Sequence, residues 1–332
     1  MKVLLRFLTM SCVVVSIFLG MPERLEAEVL QIHTPANKSY LEQEQVNLVV
    51  SVTDPNAMTL QVQVGGKSYA RQLMKATQKR QVCLPVLLSP GLNRIEVMVS
   101  GGGGVIERKD LTVYLRSALL KSYQVPPEGF KRYYFHERDR EAACSSCHRM
   151  EANLHDLNPK NVADSPCYTC HKHKSSSLYT HKPVAAGACL SCHEVTQAKR
   201  KYTTRKPDKD SCFICHNVQG KLWKGQRVHH GPTAVGNCTV CHDPHGSYYP
   251  AFVKMHPTDL CLNCHHDKKT GLHVIAGFFA KGHPVRGAKN PLKKDRLFSC
   301  ASCHNPHAGN NQNLLNQERE NMDVYCRSCH KL

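Results

Sequence analysis

The stretch HGPTAVGNCTVCHDPH at residues 230–245 contains the pattern on which most of this chain is built. Its core is Cys-x-x-Cys-His, which runs here from Cys238 to His242, and seven further copies lie between residues 144 and 330. His makes up only 21 of the 332 residues, yet it follows the second Cys in all eight copies. A zinc ribbon or a disulfide framework requires no His at that position. A c-type haem does, because two thiols bond one porphyrin and the adjacent His reaches its iron.

The eight motifs therefore predict eight covalently bound haem c groups. The cysteines predicted to hold them are Cys144, Cys147, Cys167, Cys170, Cys189, Cys192, Cys212, Cys215, Cys238, Cys241, Cys261, Cys264, Cys300, Cys303, Cys326 and Cys329. The His predicted as proximal iron ligands are His148, His171, His193, His216, His242, His265, His304 and His330. Two cysteines remain, Cys12 near the N-terminus and Cys83. For Cys83 we expect a buried, inert thiol, with an intermolecular disulfide as the alternative.

The motifs are arranged in pairs, which we call units 1 to 4. The first Cys of one motif and of the next are 23 residues apart within units 1, 2 and 3, and 26 apart within unit 4. The steps between units are less regular, at 22, 26 and 39 residues. Such a period predicts one structural element used four times.

Other His residues recur at fixed places in these units. One lies eight residues before the first motif of units 1, 2 and 3, and another follows the first motif of units 3 and 4. Imidazole is the expected second axial ligand of the iron, which predicts as distal ligands His136, His155, His181, His230, His245, His283 and His307. The candidates for an eighth are His173, His229, His256, His266 and His273. Unit 2 lacks a His after its first motif, so we expect an open iron or a borrowed ligand at His193 or His216.

This sequence pattern resembles that of the doubled CxxCH multihaem cytochrome c family, in which a His-x-Pro element, a Gly and CxxCH-x-Pro-His recur. The match is close in unit 3 (230–265), good in unit 4 and partial in units 1 and 2, and it covers residues 136–330. The resemblance implies closely stacked, bis-His, low-potential haems that pass electrons along a chain. It also implies a bacterium that respires metals or cycles sulfur, with the protein in its periplasm or at its surface.

Residues 28–118 have a different composition, with apolar residues at alternate positions, as in Val46, Leu48, Val50 and Val52. Gly-rich and Pro-Gly turns separate several such stretches, which predicts an all-β sandwich. It resembles Ig-like or fibronectin-like modules, notably in SPGLNRIEV at 89–97. We expect a linker at 119–135 and an octahaem domain at 136–332. Because apolar residues are sparse there, we predict little regular secondary structure, with short helices and loops around stacked haems.

Residues 1–27 read as a secretory signal peptide, since the apolar run from Val13 to Leu19 is too short to span a membrane. We therefore expect an exported protein without an integral membrane span, in the periplasm or at the surface of a Gram-negative bacterium. The net charge of +18 does not indicate nucleic-acid binding. Eight haems carry roughly sixteen propionates, which suit Lys and Arg as partners. The basic stretch 199–209 is either a solvated loop or a docking patch for an acidic redox partner.

These features predict an electron-transfer protein rather than an enzyme, working with redox partners such as other cytochromes or components of an outer-membrane conduit. One alternative is an octahaem reductase or oxidase of a small nitrogen or sulfur compound, with one open iron. Another is the subunit of an extracellular cytochrome filament, which requires self-assembly.

Overall fold

The computed structural model describes residues 28–332 except 75–79, 197–199, 270–272, 274–282, 317–325 and 331–332. The predicted signal peptide, residues 1–27, lies outside the described residues. No described helix is both long enough and apolar enough to cross a membrane.

The N-terminal region is built from two β-sheets. One has three strands in the order β1-β3-β6, and the other has six in the order β5-β4-β7-β8-β2-β9. Strand β2 runs parallel to β8 and β9, and the other pairs are antiparallel. The strands are β1 (Leu30–Thr34), β2 (Ser39–Leu41), β3 (Gln45–Val52), β4 (Ala57–Val64), β5 (Lys67–Gln72), β6 (Arg80–Leu87), β7 (Gly91–Gly101), β8 (Gly104–Leu115) and β9 (Lys131–Arg132).

Apolar side chains from both sheets share one core. In β3 the residues at alternate positions belong to the core, and β4 and β7 repeat this pattern. The C-terminal part of β8 contributes Leu111, Val113 and Leu115. The predicted all-β domain is thus confirmed. The core also includes Tyr133, which follows β9, so part of the expected linker at 119–135 packs onto the β-domain. The central buried residues are Leu48, Val50, Val52, Leu60, Val62, Val64, Val86, Ile95, Val97, Val99 and Val113.

The outer face of the three-stranded sheet contacts unit 1. The Gln45 amide nitrogen lies 3.0 Å from His173 Nδ1, and the Asn47 amide donates to the carbonyl of Cys170 at 3.4 Å. Gln81 donates to the carbonyl of Ala143. Cys83 lies in β6 between inward-facing positions, so its thiol belongs to this outer face and is exposed. The expectation of a buried Cys83 is therefore wrong, because strand alternation turns it away from the core.

The region after residue 136 has short elements joined by loops and 3₁₀ turns, as predicted. Its described residues contribute few buried apolar side chains. The helices are α1 (Arg138–Ser145), α2 (Tyr168–His171), α3 (Lys182–Ala185), α4 (Lys209–Cys212), α5 (Asn217–Lys224), α6 (Gly231–Ala234) and α7 (Pro257–Leu262). The strands are β10 (Tyr179–Thr180), β11 (Val228–His229), β12 (Gly246–Ser247) and β13 (Ala308–Gly309). The 3₁₀ turns are Lys121–Tyr123, Leu154–Leu157, Val162–Asp164, Lys172–Ser175, Cys189–Ser191, Cys238–Val240, Pro250–Phe252, His266–Lys268 and Cys300–Ser302.

Successive units are joined through the residues that surround their His. Strand β10 just before unit 2 pairs with β12 of unit 3, and β11 just before unit 3 pairs with β13 of unit 4. The amide of His181 donates to the carbonyl of His245 at 3.1 Å, and His230 donates likewise to His307 at 2.9 Å. Units 1 and 2 meet differently, since the amide of Lys201 donates to the carbonyl of His136 at 3.0 Å.

Candidate haem sites

All eight motifs have the same local backbone structure. In each, the amide of the His donates to the carbonyl of the first Cys at 2.9–3.1 Å, which closes one helical turn. This turn brings both thiols and the imidazole to one side of the chain. The described cysteines are all free of disulfides. The local structure therefore suits the covalent attachment of one haem to each motif.

Seven of the eight motif His face a second imidazole. The ring centroids of these pairs are 5.9–6.2 Å apart. A metal–imidazole bond is about 2 Å and the ring centre lies roughly 1 Å further, so two axial rings on one metal lie about 6 Å apart. The residues therefore fit axially ligated haem. The pairs are His136–His171, His181–His216, His193–His245, His230–His265, His242–His307, His273–His304 and His283–His330.

The pairs follow a rule. The His that leads a unit faces the second motif of the same unit, as His181 faces His216 at 6.1 Å. The His that follows a first motif faces the first motif of the preceding unit, as His245 faces His193 at 6.2 Å. Unit 3 thus completes a site of unit 2, and unit 4 completes a site of unit 3. In unit 4 the first motif instead faces His273, from the segment between units 3 and 4.

The rule explains where the pattern is incomplete. Both motif His of unit 2 have partner rings, so the expectation of an open iron in that unit disagrees with the structure. Thr196 stands in unit 2 where His245 stands in unit 3, and a His there would face the first motif of unit 1. Among the residues that the structure describes, His148 has no imidazole opposite it. His155, expected to serve unit 1, is exposed.

The other candidate His have different surroundings. His229 uses its Nε2 to bond the carbonyl of Trp223 at 2.8 Å, and His256 accepts the amide of Thr258 at its Nδ1. His266 is exposed. The ring of His173 lies 6.1 Å from His171, but it belongs to the next turn of the same segment. We assign His136 rather than His173 to His171, because His181 and His230 repeat its position.

Hydrogen bonds orient the paired imidazoles. His193, His242 and His304 each donate from Nδ1 to the carbonyl nine residues further on, at 2.7–2.9 Å. A carbonyl oxygen only accepts, so Nδ1 carries the proton and the lone pair of Nε2 points to the partner ring. Such a partner fixes the tautomer and the orientation of a metal-ligating imidazole.

Burial favours the neutral imidazole that a metal requires. It lowers the pKa of His171 to about 3 and that of His307 to about 4, with a smaller contribution from neighbouring His. Burial also lowers the pKa of His181, His193 and His230. These rings are therefore neutral at pH 7.

Consecutive motifs are also spatial neighbours. The first Cys of a second motif lies close enough to the first Cys of the next unit for their thiols to interact, in the pairs Cys167–Cys189, Cys212–Cys238 and Cys261–Cys300. Within units 2 and 3 the second cysteines of the two motifs lie within electrostatic range, in the pairs Cys192–Cys215 and Cys241–Cys264. In unit 1 the pair within this range consists of Cys144, the first cysteine of motif 1, and Cys170, the second cysteine of motif 2. Motifs 1 to 7 thus form a row in sequence order.

Sequence reasoning missed the side chains behind the imidazoles. Glu141 accepts a hydrogen bond from His136, Asp243 accepts one from His245, and Trp223 stacks on His307 with 4.2 Å between ring centroids. A signal for Asp243 was present, because CHDPH in unit 3 becomes CHNPH in unit 4. Glu141 and Trp223 have no equivalent in the repeat, and their contacts appear only in the folded chain.

The model of the family described as "Doubled CXXCH motif" matches residues 181–221, 230–270 and 290–332. It confirms the predicted resemblance for units 2 to 4, whereas unit 1 lies outside the matched residues. No curated protein matches the sequence.

Solved structures with partial similarity include three with TM-scores far below 0.5, which do not establish a shared fold. The sulfur carrier protein SoxY from Chlorobium limicola f thiosulfatophilum has 16% identity over 27% of this chain and 76% of that one, with a TM-score of 0.23. The fibronectin(III)-like modules of CbhA from Clostridium thermocellum have 10% identity over 26% and 94%, with a TM-score of 0.19. An engineered protein has 15% identity over 26% of this chain and a TM-score of 0.22, and this chain spans only 20% of its length.

Proposed function

We propose that this multihaem c-type cytochrome transfers electrons through eight covalently bound, mainly bis-His haems, within an exported respiratory chain. The observation that carries the proposal is the set of seven imidazole pairs with centroids 5.9–6.2 Å apart, each containing one motif His. When bound, haem iron accepts and releases one electron, and the protein tunes it through axial ligands and hydrogen bonds.

Two features of the chain support electron transfer over chemistry on a substrate. Two His ligands on an iron leave no axial position for a substrate. The row formed by motifs 1 to 7 also keeps adjacent sites close, so electrons need cross only short gaps between neighbours. The chain's own residues supply the iron ligands and the hydrogen bonds that orient them.

Export is proposed from the N-terminal sequence, since residues 1–27 have the features of a signal peptide. The partners proposed are other cytochromes or components of an outer-membrane conduit. Polypeptide charge supports contact with haem propionates and acidic partners, because Lys and Arg outnumber Asp and Glu by 44 to 26.

The test combines a mass measurement with spectroscopy on the purified protein. The mass should exceed that of the processed polypeptide by eight haems, and a reductive titration should take up eight electrons. At least seven ferric sites should give low-spin spectra by electron paramagnetic resonance. Fewer than seven low-spin sites in a fully haem-loaded protein would refute the proposed ligation.

A second candidate function is supported by one observation, the lack of an imidazole opposite His148 among the described residues. A haem attached to Cys144 and Cys147, with His148 as the ligand of its iron, would keep one axial position open, as a reductase or oxidase of a small nitrogen or sulfur compound requires. Carbon monoxide binding to the reduced protein at one equivalent, lost when Cys144 and Cys147 are replaced so that no haem attaches there, would favour this function. If no carbon monoxide binds, electron transfer alone stands.

A further inference from the structure

The group that accepts the Nδ1 proton differs among equivalent imidazoles. His181 leads unit 2 and bonds the backbone carbonyl of Pro244 at 3.0 Å. The backbone carbonyl of Pro306 is the corresponding neighbour of His230, which leads unit 3. His136 leads unit 1 and instead bonds a carboxylate, with 2.8 Å between its Nδ1 and Glu141 Oε1. A carbonyl is neutral, whereas a carboxylate is charged, so these imidazoles differ as ligands.

The sequence of the next unit explains this difference. Pro244 and Pro306 belong to the segments Asp-Pro-His and Asn-Pro-His that follow the first motifs of units 3 and 4. Unit 2 has Glu194-Val-Thr there, so no Pro carbonyl reaches His136. The chain of unit 2 approaches through Lys201 instead, and helix α1 supplies Glu141.

Glu141 is held in a buried ionic network. It is 5% exposed, and its Oε2 pairs with the ammonium group of Lys201. The Lys201 side chain is 1% exposed and also pairs with Glu151 at 2.7 Å. Two carboxylates thus share one ammonium group, and this ion pairing holds the Glu141 side chain in place behind His136.

The consequence follows from the basicity of the ligand. A carboxylate that accepts Nδ1–H shifts electron density toward Nε2, which makes the imidazole a stronger donor. A stronger donor stabilises the more positive, oxidised metal, and second-shell hydrogen bonding is one of the means by which a protein sets haem potential. We propose that Glu141 is a positioning residue that lowers the reduction potential of the haem held by His136 and His171 below those held by His181–His216 and His230–His265. This inference rests on the proposed function, since it assumes that these pairs ligate iron.

A second pair of equivalent imidazoles, His245 and His307, also differs in having a carboxylate or an amide beside it. His245 donates from Nδ1 to Asp243 Oδ1 at 3.0 Å, and Asn305 holds the equivalent position beside His307. Both side chains accept the backbone amide of the His two residues on, at 3.0 Å. The site of His193 and His245 adjoins that of His136 and His171 through Cys167 and Cys189. The two sites backed by carboxylates are therefore neighbours in the row.

The test is a spectroelectrochemical titration of the whole protein carrying Glu141→Gln, compared with Glu151→Gln. Both changes remove one carboxylate from Lys201, but Glu151 is 63% exposed in its side chain and does not bond His136. For Glu141→Gln we expect one of the eight components to become easier to reduce by about tenfold, which is ~59 mV for a one-electron couple. Glu151→Gln should leave that component unchanged. No shift in Glu141→Gln, or an equal shift in both variants, overturns the proposal.

A second pair of variants guards against a folding defect in Glu141→Gln. Asp243→Asn creates the residue pattern that unit 4 already contains, and Asn305→Asp creates that of unit 3. The first should raise the potential of one haem and the second should lower that of another, by less than the Glu141 effect because the Asp243 side chain is 37% exposed. If the wild-type number of low-spin haems persists and neither potential moves, the inference fails while the proposed function stands. If the wild-type pairs prove not to ligate iron, the proposed function itself fails.

Discussion

Gly246 is the position at which one added methyl group tests how units 2 and 3 are joined. It follows His245 and lies opposite Thr180 in the β10–β12 pair, with φ +145°. A Cβ there would lie 2.4 Å from the carbonyl oxygen of Tyr179 and 3.0 Å from Thr180 Cα. We predict that Gly246→Ala separates β10 from β12.

The magnitude follows from these contacts. A carbon–oxygen contact normally needs about 3.3 Å, so the Tyr179 carbonyl must retreat by roughly 0.9 Å. The backbone conformation at Gly246 costs a residue with a side chain about 1–3 kcal/mol. The backbone hydrogen bonds between the two short strands return only about 0.5–1.5 kcal/mol each. Opening the pair is therefore the less costly outcome.

The assay is the high-spin fraction of the ferric protein, measured by electron paramagnetic resonance alongside the haem count. Because the amide of His181 donates to the carbonyl of His245, separation should disturb both imidazoles. We expect two additional high-spin haems, those facing His181 and His245.

The matched control is Gly309→Ala in β13. A Cβ at Gly309 would meet only Leu314, at 3.5 Å and beyond, which is ordinary contact. We expect Gly309→Ala to keep the wild-type spectrum. A wild-type spectrum for Gly246→Ala, or the same loss in both variants, would refute the reasoning.

Three further predictions use the same protein. His245→Ala should create one new high-spin haem, measured by electron paramagnetic resonance. The affected haem should be that of the first motif of unit 2, although the substitution is in unit 3. Two new high-spin haems would contradict this prediction. Trp223→Leu removes the ring stacked on His307 and should lower the stability of this site by about 0.5–1.5 kcal/mol. One low-spin signal should then be lost at a lower urea concentration. An unchanged urea midpoint would speak against a stabilising role of the Trp223 ring. In haem-free protein, residues 28–135 should fold while 136–332 do not, because the latter contribute few buried apolar side chains among the described residues. Hydrogen exchange that shows one cooperative unfolding of both regions would disprove this.

The features that depend on short stretches of sequence were predicted correctly. Alternation from Val46 to Val52 reports strand β3 directly, and the motif turns follow from their own spacing. Strands β1, β2, β5 and β9 were not anticipated. Strand β5 is mostly exposed, and β2 and β9 have only three and two residues, so none of these displays a clear alternation.

The partners of the imidazoles were the part that sequence could not supply. Position in the repeat identified six of the His that form pairs, but not which motif each one faces. The contact between His193 and His245 joins residues 52 positions apart, in different units, and depends on the pairing of β10 with β12. For the same reason, the missing His of unit 2 predicted an open iron in unit 2. Among the described residues, however, it is His148 of unit 1 that has no imidazole opposite it.

Removal of unit 4 distinguishes pairing between units from pairing within units. A protein that ends at Lys268 keeps six motifs but loses His307, which lies 5.9 Å from His242 in unit 3. It retains His230 opposite His265. We therefore expect six haems with one more high-spin site than in the full chain, and the same additional signal from His307→Ala in the full chain. If pairing were confined to each unit, the truncated protein would gain no high-spin site, because units 1 to 3 would remain whole. The outcome decides whether the units are independent or whether units 3 and 4 each complete a site of the unit before them.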